Sequence, residues 1–173
     1  MNNTLKYITL GAIVVVGQIL VSEYVNIWAV LYIAVFPQFI ILLPPTINRS
    51  AYMLIAFILG LSIDLFADGV PGLNAAALTA MAYLRPSILK LTVPKTSFES
   101  YDNQPLIPRT LEIPKLMLMN VLMLAIFFTV YVLLDSAATF SFGYTLFKIF
   151  LCVAVNGAVN FACNIVLLDK ILR

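Results

Sequence analysis

The sequence predicts an all-α integral membrane protein, a single domain over residues 1–173 with six transmembrane helices and both termini in the cytoplasm. Three observations predict it. The chain has 173 residues, 62% apolar and only 10% charged, with a mean hydropathy of +1.03; a water-soluble domain keeps roughly a quarter of its residues charged. The apolar residues fall in runs of about 20, the length of helix that crosses a bilayer. Nine of the ten Lys and Arg residues lie in alternate gaps between those runs, and Glu23, Asp68 and Asp135 lie in the other gaps. Lys and Arg concentrate in cytoplasmic loops, so the pattern sets the orientation.

The first span is expected at 4–21, with Lys6 at its inner end and Glu23 and Asn26 in the outer turn. The second is expected at 27–43, containing Pro37 and stopped by Pro44 and Pro45, because proline lacks the N–H a helix needs and clashes with the preceding turn. Arg49 follows on the inner side. The third span is expected at 50–66, with an outer turn through Asp68, Gly69, Pro71 and Gly72. The fourth is expected at 73–91, with Arg85 and Lys90 in its inner half and a kink or early end at Pro86.

Residues 92–113 carry Pro94, Pro105 and Pro108 among mixed charges and lack helical periodicity. They read as an irregular cytoplasmic loop. Pro114 opens the fifth span, to about 134, at a position a helix start tolerates. The sixth is expected at 144–168, and Asp169, Lys170 and Arg173 close the chain inside. The basic residue off the pattern is Lys148, near the outer end of the sixth span, where a long side chain can snorkel to the outer headgroups. Tyr24, Trp28, Tyr52, Tyr83 and Tyr144 lie near the expected interfaces, as belt aromatics do.

Composition also excludes. There is no His, and eleven residues of helix set Cys152 and Cys163 about 16 Å apart, too far for a disulfide. No cofactor or metal site is expected. The basic residues are spread along one membrane face, which argues against nucleic acid as a partner. No phosphate-cradling loop, no paired intramembrane carboxylates and no nucleophile with a base are present, so an enzyme is not expected.

Three constellations remain. Gly60, Asp64, Gly72 and Asn74 frame the turn between the third and fourth spans. A carboxylate in hydrocarbon costs several kcal/mol, on the order of 3, unless it is paired or near water. The amino end of the fourth helix, with Asn74 in its first turn, offers Asp64 N–H donors. The functional reading is a structural clasp or a partner-docking site; the bland one is a carboxylate reaching headgroup water. Asp68 reads as a turn residue or cap.

On the sixth span, Asn156, Asn160 and Asn164 recur every four residues, continuing from Lys148 and Cys152. They stay within an arc of about 80°, and amides buried in a membrane face other helices or a cavity rather than lipid. Interhelical hydrogen bonding is the favoured reading and a small-ligand lining the alternative. Arg85, with Lys90 and Lys95, is either an anionic-lipid or protein-docking edge or simply topogenic charge, the latter favoured.

The segment from Pro44 to Leu84 resembles the rod shape-determining protein MreD family of bacterial inner membranes. The resemblance rests on Pro44, Arg49, the Gly60-Leu61 and Asp64-Leu65 pairs, Gly69, Gly72-Leu73 and Ala75 to Ala77, followed by Tyr83-Leu84. The loop at 92–113 is longer and richer in Pro than that family suggests. The resemblance implies a non-enzymatic subunit of the cell-elongation (Rod) complex that docks MreC, a single-span protein. MreB, RodA and a class B penicillin-binding transpeptidase would be further partners. It also implies a likeness to the substrate-binding subunits of energy-coupling factor vitamin transporters, which makes a transporter subunit the alternative.

Overall fold

The computed structural model describes residues 3–24, 31–45, 47–68, 70–92, 112–136 and 141–163. Regular structure among them is helical: α1 (Asn3–Tyr24), α2 (Pro37–Leu42), α3 (Arg49–Ile63), α4 (Leu73–Thr92), α5 (Ile113–Asp135) and α6 (Phe142–Cys163). A π turn, Asp64–Asp68, continues α3. Four helical stretches are long and apolar enough to cross a membrane: 7–24, 49–67, 113–135 and 142–163.

Helices α3, α4, α5 and α6 pack as successive neighbours, and α1 lies against α3 and α2. Helix α4 has 20 residues and is the most polar of the long helices. It has less need of apolar surface because protein covers one of its faces: Ala77, Leu78, Met81, Arg85, Ile88 and Leu89 are buried at helical spacing. Opposite faces of α1, α5 and α6 keep large apolar side chains exposed, among them Leu20, Leu133 and Phe150, as a lipid-facing surface requires.

The structure differs from expectation at the second span. Residues 27–43 do not form one helix. Residues 25–30 lie outside the described set, 32–35 are extended, and α2 is a single buried stretch of 6 residues. Pro37 explains the break. In a continuous helix its ring would meet the carbonyl four residues back, so the helix starts at Pro37 rather than running through it. Four of the five preceding residues, Tyr32, Ile33, Val35 and Phe36, are β-branched or aromatic, which suits extended backbone. Phe36 packs edge-on against Phe127 of α5 at 5.4 Å, and Tyr32 stacks on Tyr131 at 4.7 Å.

Other departures are smaller. Helix α4 runs through Pro86 to Thr92, with no early end. Thr92 closes α4 and Ile113 opens α5, so the expected loop begins and ends one residue inside its stated bounds; 93–111 lie outside the described residues, as do Lys95 and 164–173. Tyr52 is buried within the protein. Lys148 pairs with Asp135 at 2.7 Å, where the sequence suggested outer headgroups.

Candidate functional site

The turn between α3 and α4 is built around one carboxylate. Asp64 accepts three backbone N–H bonds: from Gly72 at 2.9 Å, Asn74 at 2.8 Å and Ala75 at 3.1 Å. It therefore caps α4 from a neighbouring helix, and the first-turn donors that a helix leaves unpaired are satisfied. Asn74 contributes its main chain to this clasp. Gly72 has φ +95°, a left-handed conformation that glycine adopts without strain. Gly60 makes the reach possible, because a Cβ there would stand 2.5 Å from the Cα of Ala75. Two backbones touch at that point, and Asp64 follows one helical turn later.

The second constellation lies across the molecule. Extended residues within a membrane protein need partners for every main-chain group. Asn156 accepts from the Ala34 N–H at 2.7 Å and donates to the Tyr32 carbonyl at 2.7 Å. Asn160 donates to the Ala34 carbonyl at 3.0 Å. From the other side Gln18 of α1 donates to the Ile33 carbonyl at 2.9 Å and accepts from the Val35 N–H at 2.8 Å. Main-chain groups of a strand alternate sides, so even residues face α6 and odd residues face α1. The spacing matches as well: four residues of helix rise about 6 Å and two residues of strand about 6.6 Å. Asn156 thus reaches the Tyr32 carbonyl and Asn160 the Ala34 carbonyl, two residues on. Side-chain amides stand in for neighbouring strands.

The lower end of this segment is also held. Arg85 is buried, and its guanidinium donates to the carbonyl of Ile41 at 3.2 Å and to that of Leu43. It lies over the Tyr52 ring at 4.3 Å, and the Tyr52 hydroxyl donates to the Pro44 carbonyl. These groups cap the carboxyl end of α2, where free carbonyls attract a cation. Arg85 is therefore not on an exposed docking edge. Arg49 is exposed here; it stacks on Tyr83 at 3.7 Å and donates to its carbonyl at 3.0 Å, and Lys90 is exposed on α4.

The sequence-level site residues thus fall into two groups. Gly60, Asp64, Gly72 and Asn74 come together in the clasp; Asn156 and Asn160 meet the second segment with Arg85 at its far end. Asn164 lies outside the described residues. Sequence reasoning missed Gln18 and Tyr52. The signal for Gln18 was present, since an amide in the apolar interior of α1 needs a partner.

Beside the extended segment lies a cavity of about 300 Å³, lined by Ser22, Tyr32, Ile33, Ala67, Tyr131 and Asp135. A larger apolar cavity of about 510 Å³ lies between α1, α2 and α3, against Gly11, Phe39 and Leu59. Among the described residues no group of three or more His, Cys, Asp and Glu side chains could hold a metal ion.

Fold and site together define a helical membrane protein with a discontinuous, amide-held second segment. No family model, no curated protein and no solved structure matches the chain.

Proposed function

We propose that this chain is a non-enzymatic scaffold subunit of the MreD type in a bacterial inner membrane. It would have six spans and cytoplasmic termini, and would hold MreC and, through it, the wall-building partners MreB, RodA and a class B penicillin-binding transpeptidase. One observation carries the reading: the buried polar side chains of both constellations bind the chain's own backbone. Asp64, Gln18, Asn156 and Arg85 are engaged by Gly72 to Ala75, by Ile33 to Val35, by Tyr32 and Ala34, and by Ile41 and Leu43. Such groups fix a shape and are committed before any solute arrives. The residues that carry the family resemblance support it too, since Gly60, Asp64 and Gly72 form one hairpin.

The test is affinity purification from native membranes in mild detergent at native expression. MreC with RodA or the transpeptidase is the expected recovery; their absence, with unchanged cell shape on depletion, would overturn the reading.

A transporter subunit is the second reading, favoured by the broken second segment beside the 300 Å³ cavity. Discontinuous helices commonly border substrate sites. It requires co-purification of paired ATPases with a membrane coupling protein, and saturable solute binding. Asn156 is a poor ligand under this reading, because both ends of its amide are already bonded to backbone.

A further inference from the structure

Between α5 and α6 runs a groove of about 620 Å³ that faces outward. Its α6 wall presents Ala154, Ala158 and Ala162, four residues apart and all exposed. Small residues at this spacing let a second helix approach closely in a membrane. The groove also contains Asn120 of α5. Its side chain is 1% exposed, and its Oδ1 has no hydrogen-bond partner. Helix α5 is one of the four stretches apolar enough to cross a membrane, and Asn120 lies two turns from its start. A carbonyl oxygen left unpaired at that depth is costly.

We propose that this groove seats one transmembrane helix of a second protein, with small residues on its contact face and a hydroxyl or amide donor level with Asn120. The Asn120 oxygen is sealed from the surface in this structure, so pairing requires the amide to turn into the groove; a lipid tail would fill the space but carries no donor to pair with it there. A second copy of this chain, laid down by the same face, would set a hollow against a hollow, whereas a single helix is convex and fills one. Hydrogen-bond complementarity and shape therefore agree on the occupant. The inference rests on the scaffold reading for its partner: MreC, the single-span member of that set, is the probe.

The experiment places a photoreactive benzoylphenylalanine at position 158 in native membranes. Position 76, exposed on α4 in the separate groove between α3 and α4, is the control. In parallel, Ala158→Phe and Asn120→Leu are compared with wild type for MreC recovery. Ala158 is exposed, so filling the groove there leaves the fold intact and guards against loss of folding in Asn120→Leu. Expected are a cross-link to MreC from 158 and none from 76. Recovery should fall about tenfold in Ala158→Phe and about three- to tenfold in Asn120→Leu. Normal recovery by Ala158→Phe with no cross-link from 158 overturns the groove but leaves the scaffold reading standing. A cross-link from 158 to a second copy of the chain also overturns it. Failure of wild type to recover MreC removes the scaffold reading, and the groove proposal with it.

Discussion

The Asp64 clasp and the extended second segment solve the same problem at opposite ranges. Each satisfies main-chain groups that no helix or sheet satisfies. In the clasp the acceptor and its donors are 8 to 11 residues apart. In the second segment Asn156 and Ala34 are 122 apart. The clasp joins two consecutive helices through one tight turn; the side-chain amides tie α1 and α6 to the non-helical segment between them. One staples a hairpin, the other closes the bundle.

The comparison predicts a difference in cost. Asn156→Leu orphans two backbone groups, the buried Ala34 N–H and the part-buried Tyr32 carbonyl. At about 1–3 kcal/mol for each buried group left unpaired, the loss should be about 4 kcal/mol. Asn160→Leu removes one bond and should cost about half as much. Unfolding of the purified protein in mixed micelles measures both. Equal losses would mean that Asn160 carries more than the Ala34 carbonyl, and the proposed spacing match between helix and strand would fail.

Asp64→Ala comes next, at about 3 kcal/mol, because hydrogen bonds to a carboxylate are stronger, while one of the three, from Gly72, is only part-buried. Asp64→Asn keeps an acceptor and should recover part of the loss. If Asp64→Ala costs more than Asn156→Leu, three bonds to one carboxylate outweigh the two main-chain groups held by the amide, and local reach outweighs long range.

Gly72→Ala should cost less, about 1 kcal/mol, since only the left-handed backbone conformation is penalised and nothing lies within 4 Å of the added methyl. Gly60→Ala meets backbone instead and should cost more than Gly72→Ala. The reverse order would show that the turn, rather than the contact of α3 with Ala75, positions Asp64.

These differences also explain what a reader of the sequence could recover. Gly60, Asp64, Gly72 and Asn74 are legible because a carboxylate, a tight turn and a helix start are close along the chain, and local chemistry pairs them. The four-residue spacing of Asn156 and Asn160 shows a polar face on α6 but not what it faces. Its partner is backbone, and backbone carries no sequence signature. Pro37 announces a break in the second run, yet a run of 17 residues, 15 of them apolar or aromatic, fits a helix equally well. The partners of Arg85 are hidden for a related reason: Ile41 and Leu43 offer carbonyls that look like part of an ordinary span until the helix is seen to end there.

Lys148 and Asp135 offer the finest test of reach, and the smallest effect. The sequence sends this lysine to outer headgroups; the structure pairs it with Asp135 across the turn between α5 and α6. The lysine side chain is 11% exposed and the aspartate 40%, so water and salt screen the pair from one side. A partly exposed ion pair is worth about 0.5 kcal/mol. A double-mutant cycle with Lys148→Met and Asp135→Asn, measured in zwitterionic lipid, should return a coupling of that size, reduced by added salt. Zero coupling, with Lys148→Met destabilising only in anionic lipid, would return the lysine to the headgroups. The α5–α6 turn would then lack the side-chain bond that makes it a weaker counterpart of the Asp64 clasp.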